Sequence, residues 1–363
     1  MTLIDYVKKY GNFDFNEEEF NDVDNVIFSL VSYVDFTGIV PKGDKEITLE
    51  EAANIFFREN TKKDISKKIF SIKSAINLFK LIKDYKRYKN VKLYNYVYEY
   101  NREKQFSAVT IRIKKDLIYV SYEGTDEFIS GWKEDFELSY LYPIPSHIDA
   151  VEYLNKTIKF KDKNVIVGGH SKGGNLALIS AMNCNILVRG KIKKVYSNDG
   201  PGILEEEIHS RRYKKVKSKY IHIIPKYSIV GILLENANDE IISSSKKGIL
   251  AHDALNWEVE DNHFVCSKLD ESSIRLKRIF DDWLDNYNFE QRMMCVNELF
   301  EIFDRNNINT LNDFKSKGLS FILSIIKDNK EIEDQAKIMF KELFTLIFND
   351  YTSRIKERIK MGQ

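Results

Sequence analysis

Residues 165–178 read VIVGGHSKGGNLAL, and this stretch decides the fold. A run of apolar, mostly β-branched residues leads into two glycine pairs, which flank His-Ser-Lys at 170–172, and a helix-forming segment follows. The pattern predicts a buried strand that turns sharply into a helix, with Ser171 at the turn. Gly169 and Gly173 stand two residues before and after the serine, where any side chain would collide with neighbouring backbone.

The pentapeptide at 169–173 matches the G-x-S-x-G pattern of a nucleophile elbow. In an elbow, the helix after the serine directs its first N–H groups towards a developing oxyanion. Because so short a pattern often matches by chance, the strand before it and the helix after it carry the argument. A phosphate-binding loop would need GxxxxGK[ST] and a dinucleotide site would need G-x-G-x-x-G, and neither is present. The stretch therefore predicts a serine nucleophile.

The remaining patterns predict an α/β architecture around this elbow. Three strand-like runs indicate an antiparallel start to the sheet: VKLYNYVYEY at 91–100, FSAVTIRI at 106–113 and DLIYVSYEG at 116–124. Strands and helices then alternate, which implies parallel strands joined by right-handed crossovers. We predict an α/β-hydrolase fold with a mixed, mainly parallel central sheet and helical N- and C-terminal additions. Its expected divisions are an N-terminal helical segment at 1–90, the core at 91–269 and a C-terminal helical region at 270–363.

Composition excludes several functional classes. Lys and Arg number 56 and Asp and Glu number 55, so no broad field attracts nucleic acid or an anionic membrane. The three cysteines, Cys184, Cys266 and Cys295, fit neither a disulfide framework nor a metal site, and we expect no cofactor. The sequence starts without a secretory signal pattern and contains no apolar stretch long enough to span a bilayer. We expect a soluble, cytoplasmic protein.

A serine nucleophile needs a general base, and in this fold the chain order is serine, acid, histidine. Four histidines follow Ser171. His209 lies in a charged segment, His222 in a strand and His263 in a short strand-like stretch. His252 lies in a loop-like stretch after the last clear strand, where the chain order requires the base, so we predict His252 as the base.

The acid has several candidates. Ser228 stands after the strand YIHIIP, where the acid is usual in this fold. Asp199 ends the preceding strand, from which an acid can also reach the histidine, although aspartate also caps a Gly-Pro-Gly turn well. Glu235 and Asp239 remain alternatives, and Asp253 is less suited. We take Asp199 as the acid that orients the base.

The oxyanion of acyl transfer needs two N–H donors. The N–H group of Lys172, directly after the nucleophile, is the first. Gly124 and Thr125 end the strand that should lie beside the elbow, so we predict the N–H group of Thr125 as the second.

Several motifs taken together resemble a known group. VSYEGTD at 120–126, GWKEDF at 131–136 and GGHSKGGNLA at 168–177 resemble the class 3 lipase-like branch of the α/β-hydrolases, which has RGT followed by Trp and Asp. The chain is more similar still to the uncharacterised bacterial Mbeg-like family of that branch. The stretches that carry this closer resemblance are 5–36, YSNDGPG at 196–202, IIPKYSIVGILLE at 223–235 and KKGILAHDALNWEV at 246–259.

The resemblance implies four site residues: the nucleophile Ser171, the base His252 and the oxyanion donors Thr125 and Lys172. Two departures, Glu123 in place of the usual Arg and Ser228 in place of the acid, argue against triacylglycerol lipase activity. We therefore expect a serine hydrolase that cleaves an ester or thioester of a small molecule or lipid through an acyl-enzyme. The alternative is a catalytically weak or inactive hydrolase fold that serves as a binding module.

The run at 331–360 has helical periodicity. Five apolar residues are expected close to one stripe of that helix: Ile338, Phe340, Leu343, Leu346 and Ile347. We expect this stripe to pack on the core, as most amphipathic helices do. The alternative is a lid or membrane-surface element, to which a basic tail at 354–360 would contribute.

Overall fold

The computed structural model describes residues 1–68, 70–100, 104–125, 129–237, 239–310, 313, 316–342 and 344–345. Leu343, Leu346, Ile347 and the basic tail lie outside the described residues.

One eight-stranded sheet organises the molecule, and its strands lie side by side in chain order. The strands are β1 (Ile47–Thr48), β2 (Lys92–Tyr100), β3 (Gln105–Lys114), β4 (Leu117–Tyr122), β5 (Asn164–His170), β6 (Ile192–Asn198), β7 (Tyr220–Pro225) and β8 (Asp239–Ile242). The pairings from β1 to β4 are antiparallel. The pairings from β4 to β8 are parallel. The predicted α/β architecture, with a mixed and mainly parallel sheet flanked by helices, is confirmed.

The N-terminal helices cover one face of this sheet. They are α1 (Leu3–Tyr10), α2 (Asp22–Val31), α3 (Leu49–Glu59), α4 (Lys62–Lys67), α5 (Phe70–Ile82) and α6 (Lys86–Lys89). Helix α2 is buried along nearly its whole length, because it lies between the sheet and the other N-terminal helices. Its C-terminal extension carries Tyr33, which is also buried.

The opposite face packs against the helices that connect the central strands. These are α7 (Ile129–Glu137), α8 (Pro145–Thr157), α9 (Lys172–Asn183), α10 (Ile186–Lys191), α11 (Glu205–Ile208) and α12 (Arg211–Lys214). Side chains of α8 and α9 form one apolar cluster with β4, β5 and β6. Helix α9, which follows the elbow, is thus fixed against the centre of the sheet.

The C-terminal helices form a separate apolar cluster with residues of the core. After a small hairpin of β9 (Val259–Glu260) and β10 (His263–Phe264), the chain forms α13 (Glu271–Asn286), α14 (Phe289–Arg305), α15 (Leu319–Asp328) and a helical stretch at 334–342. Phe340 packs against Phe136, with ring centroids 5.9 Å apart. The expectation for Ile338 was wrong, since its side chain is 59% exposed. Positions 338 and 340 lie about 200° apart around a helix and cannot share one face. No helix of the described ranges is long and apolar enough to cross a membrane.

Candidate active site

Ser171 lies at the turn between β5 and α9 in a strained backbone conformation, with φ 57° and ψ −136°. A non-glycine residue seldom adopts such angles, and they persist only where the surroundings enforce them. The Ser171 N–H donates to the Asn198 carbonyl at 3.0 Å, and the Gly174 N–H donates to the Ser171 carbonyl at 2.8 Å. Hydrogen bonds on both sides thus hold the serine in the conformation of an elbow.

Gly169 and Gly173 are needed because a Cβ at either position would collide with backbone atoms, not with side chains. A Cβ at Gly169 would lie 2.7 Å from the Tyr122 carbonyl oxygen and closer still to the backbone of Gly173. A Cβ at Gly173 would meet the same oxygen and lie 3.0 Å from the Glu123 carbonyl carbon. These are backbone atoms at the end of β4 and in the first turn of α9, and they cannot move aside, which agrees with the steric reason inferred from the sequence.

His252 contacts Asp199. The two are joined by a hydrogen bond of 2.6 Å between His252 Nδ1 and Asp199 Oδ2. A carboxylate only accepts, so Nδ1 carries the proton, and in the neutral form of the ring the lone pair is at Nε2. That is the tautomer that a general base for a serine hydroxyl requires.

Further donors fix the Asp199 carboxylate, which is fully buried. The Ser228 hydroxyl donates to Oδ1 at 2.5 Å and the Gly231 N–H donates to the same oxygen at 3.1 Å. Burial raises the pKa of Asp199, but the charge and hydrogen bond of His252 and the bond from Ser228 outweigh it, so this pKa lies below its ordinary value. Ser228, which follows β7, is thus a hydrogen-bond donor to Asp199, which follows β6.

The other candidate acids have different partners. Asp239 is 2.7 Å from Nδ1 of His222. Asp253 accepts from the Ser74 hydroxyl and caps a short 3₁₀ turn. Glu235 faces Lys277. Among the candidate acids, only Asp199 is hydrogen-bonded to the His252 imidazole.

His170, immediately before Ser171, was missed by sequence reasoning. Its Nε2 lies 2.7 Å from the His252 carbonyl oxygen, and its Nδ1 lies 3.0 Å from the Tyr33 hydroxyl. Burial, with the nearby His252, lowers the pKa of His170 to about 3, so the ring is neutral. Since a carbonyl only accepts, Nε2 carries the proton and Nδ1 accepts from Tyr33. The imidazole thereby ties the elbow to the loop of His252.

Gly124 brings the predicted oxyanion strand against the elbow. A Cβ on Gly124 would lie 2.5 Å from the His170 carbonyl oxygen and 3.0 Å from Ser171 Cβ. Thr125 is the next residue, and its hydroxyl donates to Asp135 Oδ2 at 2.7 Å. Burial raises the pKa of Asp135 to about 6. The Thr125 segment is therefore anchored beside Ser171 by a buried carboxyl group.

Lys172 contributes two different features. Its N–H is the first of α9 and has no acceptor within the helix, as in every helix. Its side chain is fully buried, with Nζ 2.7 Å from Glu134 Oε2 and 3.1 Å from the Gln105 carbonyl oxygen. Sequence reasoning considered only the N–H. The ion pair attaches the start of α9 to α7, the helix that also carries Asp135.

Among the described residues, the Ser171 hydroxyl makes no hydrogen bond. Within the same ranges, no group of three or more His, Cys, Asp or Glu side chains is placed to hold a metal ion. A cavity of about 770 Å³ lies elsewhere, between the Thr37–Ile47 segment and Tyr96 and Tyr98, and none of the predicted site residues lines it.

Comparison with known proteins places the chain in a family. No curated protein and no solved structure matches it. A family model described as Mbeg1-like matches residues 82–301, which is more than half of the chain and includes all five predicted site residues. The chain therefore belongs to the Mbeg1-like family.

Proposed function

We propose that the protein is a serine hydrolase of the α/β-hydrolase fold, of the class 3 lipase-like branch, which cleaves an ester or thioester. The observation that carries the proposal is the hydrogen-bonded pair of His252 and Asp199, on a loop tied to the strained turn of Ser171. The strand, turn and helix around Ser171 have the arrangement in which an elbow presents a serine to an acyl carbonyl, and Ser171 itself is 7% exposed. The Thr125 segment beside the turn supports the same assignment.

The reaction assigns one role to each residue. Ser171 Oγ attacks the acyl carbonyl carbon, and its proton passes to His252 Nε2 while Asp199 stabilises the imidazolium. The N–H groups of Lys172 and Thr125 bind the oxyanion. Collapse of the tetrahedral intermediate expels the alcohol or thiol, which takes the proton from His252. Water then attacks the acyl-enzyme with His252 again as base, and the carboxylic acid leaves.

The substrate belongs to the ester or thioester class, as a small molecule or a lipid. Glu123 is 7% exposed and occupies the position where the resembled lipases have Arg. The resembled lipases have a basic side chain at this position and this protein has a buried acidic one, so the charge beside the oxyanion differs from theirs. We therefore do not assign triacylglycerols as the substrate. Neither nucleic acid nor a cofactor has a role in the proposed reaction.

A fluorophosphonate probe tests the proposal directly, because it labels activated serines. The wild-type protein should be labelled, the Ser171→Ala variant should not, and the matched control Ser324→Ala, at an exposed helix position, should be labelled normally. Labelling that persists in Ser171→Ala would contradict the assignment of the nucleophile.

The second candidate is a hydrolase fold that binds a ligand without turnover. The observation that favours it is the Ser171 hydroxyl, which makes no hydrogen bond among the described residues. Catalytic hydrogen bonds often form only with substrate bound, so this geometry is also compatible with an enzyme. Absence of probe labelling together with no turnover across a panel of short and long p-nitrophenyl esters would favour the binding role.

A further inference from the structure

Three large apolar side chains project from one end of the molecule. Phe160 is 93% exposed, Ile186 is 73% exposed and Leu187 is 69% exposed, the three highest values for large apolar residues in the described chain. Phe160 lies in the connection from α8 to β5, and the other two lie in the first turn of α10. Large apolar groups that are grouped and exposed indicate a contact surface.

The two segments are joined to each other. The Lys191 ammonium donates to the carbonyl oxygens of Lys159 and Phe160, at 2.6 and 3.0 Å, and lies 5.6 Å from the centre of the Phe160 ring. Leu187 precedes Lys191 by four residues, so both lie on the same side of α10. Phe160 and Leu187 are thus brought together by Lys191, and with Ile186, the residue before Leu187, they make up what we call the Phe160–Leu187 surface.

Lysines flank this surface. Lys161, Lys163 and Lys193 are exposed and make no ion pair within the described residues. Asp162, which interrupts the basic run, is 7% exposed, and its carboxylate accepts from the Lys159 N–H at 2.8 Å. The acidic group therefore turns inwards and the cations face the solvent.

We propose that the Phe160–Leu187 surface binds an anionic lipid bilayer. The apolar side chains insert at the boundary of headgroups and acyl chains, and the lysines meet the negative headgroups. Protein–protein interfaces are depleted in lysine, so several free lysines beside projecting apolar groups favour a bilayer over a protein partner. This inference is independent of the chemistry at Ser171.

Vesicle co-sedimentation of the full chain tests the proposal, with phosphatidylcholine vesicles that either contain or lack phosphatidylserine. The wild type should sediment with phosphatidylserine vesicles, and added salt should release it. Phe160→Ser/Leu187→Ser should weaken binding about tenfold or more, since two inserted side chains are lost. Lys161→Glu/Lys163→Glu should also weaken binding, because two cations that meet the negative headgroups are replaced by anions.

The matched control is Phe289→Ser/Met294→Ser, which removes two apolar groups that are exposed elsewhere, at 48% and 64%. It should bind like the wild type, and all variants should keep the wild-type Tm because the altered side chains are exposed. Wild-type protein that stays in the supernatant, or binding that survives Phe160→Ser/Leu187→Ser, would overturn the proposal. A third result would also overturn the proposal: the wild type does not bind vesicles but self-associates, and Phe160→Ser/Leu187→Ser no longer self-associates. The surface would then bind a protein partner, a second copy of this chain, and not a bilayer.

Discussion

The His170 imidazole donates a 2.7 Å hydrogen bond from Nε2 to the main-chain carbonyl of His252. The residue that precedes the proposed nucleophile thereby holds the loop of the proposed base. The ring centroids of the two histidines are 4.5 Å apart, and Tyr33 fixes the far side of the His170 ring. Serine and base are thus positioned relative to each other by one imidazole that takes no part in the proposed proton transfer.

Replacing His170 by Phe should lower kcat/KM for a short p-nitrophenyl ester by about 10- to 100-fold, because a small displacement of a base is costly. Tyr33→Phe should have a smaller effect of the same kind, since the bond to His252 remains. Hydrogen exchange at the amides of residues 248–257 should accelerate in His170→Phe. The control is His263→Phe at an exposed position. Unchanged exchange and activity in His170→Phe would contradict the positioning role.

Asp199→Asn should reduce turnover by about 10³- to 10⁴-fold, because the amide no longer stabilises the required tautomer or the imidazolium. The same substitution affects stability. The pKa of Asp199 is lower in the folded state, so its ionised form stabilises the fold above the unfolded pKa of about 3.9, and this contribution is lost as the pH falls through the folded value. Urea unfolding should show a wild-type advantage over Asp199→Asn at pH 7 that shrinks below pH 4. An advantage that does not depend on pH would exclude this linkage.

The stability of Asp135→Asn relative to the wild type should depend on pH in the opposite direction to that of Asp199→Asn. The pKa of Asp135 is raised to about 6 by burial, so its ionisation between about pH 4 and 6 destabilises the fold by on the order of 2–3 kcal/mol. An amide oxygen at this position can still accept from Thr125. The Asn variant should therefore gain Tm relative to the wild type as the pH rises from 4 to 8.

Asp5→Asn is the control for this prediction, because the Thr2 N–H bond lowers the pKa of Asp5 and the sign of the linkage is reversed. The same rise in Tm for both variants would refute the assignment of the effect to Asp135.

The buried pair of Lys172 and Glu134 should behave as a unit. Lys172→Met or Glu134→Leu alone leaves one buried charge without its partner and should cost about 3–5 kcal/mol of the free energy of unfolding. The double variant should recover most of that loss, and a double-mutant cycle by urea unfolding measures the coupling. Lys156 and Glu152, an exposed pair on α8, serve as the control, for which single substitutions should change little. Additive losses in the buried pair would contradict the coupling.

The sequence predicted the sheet and the elbow because both depend on local patterns. Apolar runs mark β4 to β7. The glycines at 169 and 173 are needed because a side chain two residues before or after the serine would collide with backbone, and this spacing is visible in the pentapeptide itself. Chain order also led to His252 and Asp199, which the structure brings into contact. Their catalytic roles remain predictions.

Other features of the site depend on long-range packing. Tyr33, in the turn after α2, reaches His170 across 137 positions of the sequence, and no local pattern indicates this contact. Ser228 and Asp199 follow neighbouring strands at the same edge of the sheet, and only the packing there decides which side chain reaches the histidine. The Lys172 ammonium is buried against Glu134 on α7, and no local pattern in the sequence indicates this pair.

Strand β5 begins at Asn164, four residues after Phe160, and ends at His170, next to Ser171. Seven residues of strand span about 23 Å, so the Phe160–Leu187 surface and the serine lie at opposite ends of the sheet. A protein docked by that surface has Ser171, the proposed nucleophile, turned to the aqueous side, at a distance from the lipid that holds it. Such a molecule would act as a tethered catalyst, which draws its esters from water or from a carrier rather than from the leaflet beneath it.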